Sequence, residues 1–196
     1  AAPGSLTPGS GSVSVDKNLF QGNKGGDDGG AIRTLMVSGQ DVQASPSNQA
    51  NWHRILVTNN LIVNNMSADA GGGIALDDTA RAAIINNTIV HNDSTATSSD
   101  SFGPCVPGSP PGQVCAEEPI LAGGGWTNSN PAVAGIHSGV HSAGLQAVSG
   151  QTYSSPILHD NIIWQNRSWW WDASFNGGMG GLRPMTDIPG APPYWD

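Results

Sequence analysis

The sequence predicts an all-β fold, a right-handed parallel β-helix (solenoid) of about four coils with long loop insertions, and three observations predict it. The first is composition. Charged residues make up only 11% of 196 residues, while Gly (27) and Pro (14) are abundant, which favours tight turns between short strands over helical surfaces. The second is a repeat. V-S-V-D-K-N-L-F-Q-G-N (13–23), I-L-V-T-N-N-L-I-V-N-N (55–65), A-A-I-I-N-N-T-I-V-H-N (82–92) and P-I-L-H-D-N-I-I-W-Q-N (156–166) align without a gap. The third is a glycine landmark in fixed register, since Ile32 of G-G-A-I lies nine residues after Asn23 and Ile74 of G-G-G-I nine after Asn65.

Within each repeat, apolar residues two apart (Val13/Val15, Ile55/Val57, Ala82/Ile84, Pro156/Leu158) mark a strand with one face inward. An Asn follows (Asn18, Asn60, Asn87, Asn161), then an apolar residue (Phe20, Ile62, Ile89, Ile163), then a second Asn (Asn23, Asn65, Asn92, Asn166). Asn tolerates the left-handed conformation that a sharp bend demands. Equivalent Asn residues are expected to stack into structural ladders, amide on amide, between coils about 4.8 Å apart.

The shortest Asn-to-Asn spacing, 27 residues from Asn60 to Asn87, suits three short strands per coil, and the other spacings, 42 and 74, contain insertions. These fall at about 36–52 and 93–150 of a β-helix spanning 13–171, between a flexible segment 1–12 and a Gly/Pro-rich tail or strap 172–196. For the third coil the glycine landmark ends at either Trp126 or Ile136. A leucine-rich horseshoe lacks its leucine-dense consensus here.

A net charge of −8 works against nucleic acid and anionic lipid, and no apolar run is long enough to span a bilayer. The numbering begins without an export signal, so one was removed or the chain is a segment of a longer one. Cys105 and Cys115, separated by a Pro- and Gly-rich loop, read as a disulfide in oxidising surroundings; a metal pair and two unrelated thiols are the alternatives.

F-Q-G-N with G-G-A-I, and I-V-N-N with G-G-G-I, resemble the repeats of polymorphic outer membrane proteins. N-N-T-I-V-H-N and D-N-I-I-W-Q-N are similar to the repeats of bacterial β-helix surface proteins, including the choice-of-anchor group. The resemblance covers 13–92 and roughly 156–166. It implies an exported, extracellular or surface-displayed stalk or adhesin. Pectate-lyase-like enzymes use the same scaffold, so it speaks for fold and not for activity.

Such enzymes, by resemblance, stack Asp residues on adjacent coils, with Ca²⁺ or a basic residue as the base. Aligning Ile32 with Ile74 puts Arg33 beside Ala75 and Leu35 beside Asp77, and the third coil adds Thr127 or His137. No carboxylate pair forms in those columns, so no catalytic residue is assigned. Asp77 and Asp78 read as a strand end, and Glu117 and Glu118 as solvated. Asp27 and Asp28, between glycines, are weak Ca²⁺ candidates and otherwise a solvated turn. His137 and His141, four apart, are a weak metal pair lacking the Glu of H-E-x-x-H. No cofactor is therefore expected, Ca²⁺ being the one alternative. Sequons at Asn65, Asn86, Asn92 and Asn166 are read as repeat register rather than glycan sites. Trp164 and Trp169, Trp170 and Trp171 are the candidate contacts for a ligand or partner, although a cap over the open end of the solenoid is the favoured reading of the run Trp169 to Trp171.

We therefore expect a non-catalytic scaffold or binding segment of a larger protein or assembly, its partner a protein, the rest of a longer chain, or a polysaccharide. The alternatives are a carbohydrate-active enzyme, either polysaccharide lyase or glycoside hydrolase, and a structural subunit docking through its tryptophans.

Overall fold

The computed structural model describes residues 6–98, 100–102 and 128–187. The cysteine pair, Glu117, Glu118, Trp126 and Thr127 lie outside them, as do 1–5 and 188–196. Within the described residues the chain is strand-rich, with few short helices, and its strands follow one another in four layers. Layer 1 holds β1 (Val13–Asp16), β2 (Leu19–Gln21), β3 (Lys24–Gly25) and β4 (Ile32–Leu35). Layer 2 holds β5 (Ile55–Thr58), β6 (Leu61–Val63), β7 (Met66–Ser67) and β8 (Ile74–Asp77). Layer 3 holds β9 (Ala82–Ile85), β10 (Thr88–Val90), β11 (Asp93–Ser94) and β12 (Ile136–Ser138). Layer 4 holds β13 (Ile157–His159), β14 (Ile162–Trp164) and β15 (Arg167–Asp172), followed by β16 (Gly181–Pro184).

Equivalent strands pair in parallel to form four sheets: sheet 1 is β1-β5-β9-β13, sheet 2 is β2-β6-β10-β14, sheet 3 is β3-β7-β11-β15-β16 and sheet 4 is β4-β8-β12. Among the described strands β16 alone breaks the pattern, running antiparallel to β15. The register is that of the repeat: Val13, Ile55 and Ala82 are opposite one another, as are Phe20, Ile62, Ile89 and Ile163. Ile136 takes the third landmark, opposite Ile74.

Alternation turns one side of each strand inward. Ile55, Val57, Ile62, Ile74, Leu76, Ala82, Ile84 and Ile89 form the buried core, with Val15, Phe20, Ile32, Ile136 and Ile163 partly covered toward the two ends. Two helices lie in the insertions, α1 (Gln40–Ala44) and α2 (Ala143–Ser149). They meet over a satellite core of Val42, Trp52, Ala80 and Leu145.

The turns correct one detail of the sequence reading. Left-handed conformation falls on the residue before each repeat Asn: Lys17, Asn59, Asn86 and Asp160 at one corner, Gly22, Asn64, His91 and Gln165 at the next. The bend is made there, which frees the Asn to resume an extended course and spend its side chain on hydrogen bonds. Asn60 N–H and Nδ2 both donate to Asn87 Oδ1 (2.9 and 3.0 Å), and Asn87 N–H and Nδ2 to Asn161 Oδ1 (2.9 and 3.0 Å). Asn18 donates likewise to Asn60. A second column runs Asn23 to Asn65 to Asn92 to Asn166 in the same sense. The remaining amide hydrogens reach strand carbonyls, such as Asn87 Nδ2 to Val57 O (2.9 Å) and Asn92 Nδ2 to Ile62 O (3.1 Å). Asn65, Asn92 and Asn166 are buried, so register accounts for three of the four sequons, whereas Asn86 is exposed.

The glycine landmarks have a steric origin. A Cβ on Gly30 would collide with the carbonyl of Gly72, and one on Gly72 with the carbonyl of Asp93. Only glycine lets the corner before sheet 4 stack at strand spacing.

Candidate acidic site

The corner between sheets 3 and 4 gathers several carboxylates and a guanidinium. Asp27 lies four residues after ladder Asn23, and Asp69 four after ladder Asn65, so the repeat places the two carboxylates one above the other. In the next layer the same place is held by buried Ala96, and the column is two layers tall. Asp28 joins it, and oxygens of Asp27, Asp28 and Asp69 lie within 4.8 Å of one another.

Arg33, at the start of β4, is the cation among them. Its Nη1 meets Asp27 Oδ2 at 2.6 Å, its Nη2 meets Asp28 Oδ2 at 3.2 Å, and its Nε donates to Asp77 Oδ2 at 3.1 Å. The Asp77 contact follows from register: Arg33 is opposite Ala75, and Asp77 is two residues further along the same outward face. Two further oxygens are also engaged. Asp28 Oδ1 accepts from Ala70 N–H (3.0 Å), and Asp69 Oδ1 accepts from Ser101 Oγ (2.9 Å).

Four carboxylates around one guanidinium leave a formal −3 (four minus one) when all are ionised. Burial pushes the Asp28 carboxyl up from its ordinary value, with Asp77 and Asp27 adding to the rise while Ala70 N–H and Arg33 oppose it. Burial likewise raises Asp69, helped by the charges of Asp28 and Asp27 and opposed by the Ser101 hydrogen bond. Burial alone would lower Arg33, but the bonds to Asp27 and Asp77 outweigh it and hold the guanidinium above its usual range. The chemistry on offer is that of hard oxygen donors for a divalent cation, or of a proton held on a carboxyl inside an ion-pair network.

The histidines do not join this cluster as ligands. His137 sits on β12 in the Arg33–Ala75 column. His141 precedes α2 and is fully buried, its Nδ1 3.6 Å from Asp78 Oδ1. Burial depresses its basicity.

Nor do the tryptophans form one platform. On β15 Ser168, Trp170 and Asp172 are buried, and Trp169 and Trp171 are half-buried because β16 runs alongside. Trp169 Nε1 donates to Asp93 Oδ1 (3.1 Å), and Arg183 lies over Trp170, 5.8 Å from the ring centre. Among the described tryptophans Trp164 is the exposed indole, 57% accessible, with His91 tilted against it.

Asp69 is the member that inspection of the sequence missed. Its signal was present as the equal four-residue step from Asn23 and Asn65, but the columns compared began at the glycine landmark, past the corner. No protein-family model matches the chain, and neither a curated protein nor a solved structure is significantly similar to it. No helix among the described residues is long and apolar enough to cross a membrane.

Proposed function

We propose that the four layers are coils of a right-handed parallel β-helix, and that the chain serves as an exported, surface-displayed, non-catalytic scaffold or binding segment of a larger protein or assembly. The observation that carries this reading is the pair of unbroken Asn columns, which commits the best-placed polar side chains of every coil to holding coil to coil. The acidic corner supports it too, because Arg33, Ala70 N–H and Ser101 already engage its carboxylates. Trp164 is the side chain we assign to contact with a polysaccharide or protein partner.

One observation favours a second reading, a carbohydrate-active enzyme. Asp27 and Asp69 stack on adjacent coils beside a basic residue, as in the enzymes of this scaffold named above. Incubation with a panel of neutral and acidic polysaccharides, with and without Ca²⁺, separates the two. The scaffold reading expects retention on a polysaccharide or partner surface that weakens in Trp164→Ala, with no new reducing ends or unsaturated products. Turnover abolished by Asp69→Asn would replace it with the enzyme.

A further inference from the structure

The two ends of the stack are not alike. At the layer 1 end, no described strand pairs with the outer edges of β1 to β4, and Val15, Phe20 and Ile32 are incompletely covered. At the layer 4 end, sheets 1 and 2 stop at β13 and β14, where Ile157 and Ile162 are exposed, but sheet 3 continues into β16. We infer that β16 occupies the place of a fifth layer on sheet 3, and that the end it guards fits layer 1 of a second copy of this chain, docked head to tail.

Three features fit that occupant. The Asn columns are one-way: every side-chain oxygen accepts from the layer before it, so the oxygens of Asn18 and Asn23 accept nothing among the described residues, whereas Asn161 N–H has no further Asn oxygen to meet. A second copy's Asn18 would supply that oxygen. Charge matches at one corner: Lys17 and Asp160 share the left-handed turn, so stacking layer 1 on layer 4 sets Asp160 toward Lys17, while on sheet 3 it sets Lys24 over Arg167, whose guanidinium Asp93 already holds. Finally, a parallel edge continues only head to tail, a contact that does not close on itself.

In the way stands β16, since the incoming β3 and β16 need the same position beside β15. It is latched by Arg183 Nη1 on Asp172 Oδ2 (2.9 Å) and by Arg183 over Trp170 and Phe175. Pro184, opposite Trp169, has no N–H to offer a further strand.

This inference rests on the stacked-layer reading and not on the scaffold role, which polysaccharide turnover tests separately. The experiment is sedimentation velocity across a wide concentration range on the full chain and two full-length variants that unseat β16 by different means. Arg183→Glu repels Asp172 and Asp187. Gly180→Val puts a branched side chain at φ +75°, against the Trp171 ring. The parent is expected to stay at monomer mass, and both variants to climb toward twice that mass and beyond as concentration rises. Adding Ser14→Pro should return them to monomer. Val13 and Lys17 N–H donate toward β5, so the Ser14 N–H faces the open edge and its loss costs no internal bond. Variants that keep the parent's circular dichroism and its monomer mass would overturn the inference, as would growth indifferent to Ser14→Pro, which is mere adhesion through an uncovered Trp170. Should one variant unfold, the other decides.

Discussion

Two columns in this molecule obey the same stacking rule with opposite results. Asn60 and Asn87 repeat an amide from layer to layer, and Asp27 and Asp69 repeat a carboxylate. An amide is donor and acceptor at once, so each rung satisfies the next and the column extends through all four layers. A carboxylate only accepts, so two rungs already repel, and the column needs Arg33 from outside it and ends at Ala96. A repeat multiplies whatever its register carries, and only self-complementary groups survive multiplication uncompensated.

That contrast can be broken at either column. Asn87→Ala should have the largest effect, because it strands the buried N–H of Asn60, takes one of the two bonds of the Asn60 amide, and removes the side-chain bonds of Asn87 to Val57 O, Ile85 O and Asn161 Oδ1. A loss of about 3 kcal/mol or more is expected by urea denaturation. Asn18→Ala, at the exposed end, should cost no more than about 1 kcal/mol in the same assay. Arg33→Ala comes next. It leaves Asp27, Asp28 and Asp77 without their cation, at a cost of about 1–2 kcal/mol at neutral pH after allowing for partial solvent exposure. Added Ca²⁺ should restore part of that loss in thermal melts if the oxygens can close on an ion.

Two smaller effects concern pH. The native basicity of His141 is depressed below 6.5, so the unfolded chain binds the proton more tightly. Stability from this group is present above that value and falls away as pH drops toward the native pKa. His141→Leu should flatten the acid limb of a stability–pH profile. Asp69 has the opposite sign. Its carboxyl is raised above 3.8, so its contribution is complete below that value and is lost as pH rises through the native pKa. Asp69→Asn should therefore stabilise the chain slightly at neutral pH, by less than about 1 kcal/mol, and the gain should vanish in acid.

Much of the strand order was legible because Asn18, Asn60, Asn87 and Asn161 mark register without ambiguity, and Ile32 and Ile74 mark it again after the corner. Choosing Ile136 over Trp126 was not, since local sequence offered triple glycine at one and an aliphatic side chain at the other, and pairing with Ile74 is a long-range event. The pairing of β15 with β16 was hidden for the same reason. G-G-M-G-G-L-R-P carries no alternation, and only Arg183 against Asp172 and Trp170 gives it a place. At the acidic corner Asp27 and Asp28 were visible as a pair, but their coupling to Asp69, Asp77 and Arg33 exists only once layers 1 and 2 are stacked.

The satellite core of Val42, Trp52, Ala80 and Leu145 has a consequence for how the molecule comes apart. In an array whose units touch only their neighbours, stability is a sum of local terms and the ends can fray one unit at a time. Here Val42 and Trp52 belong to the connector after layer 1, Ala80 to that after layer 2 and Leu145 to that after layer 3. All three connectors are pinned together outside the stack, so a terminal layer cannot peel without disturbing the others, and unfolding is driven toward a single all-or-none event.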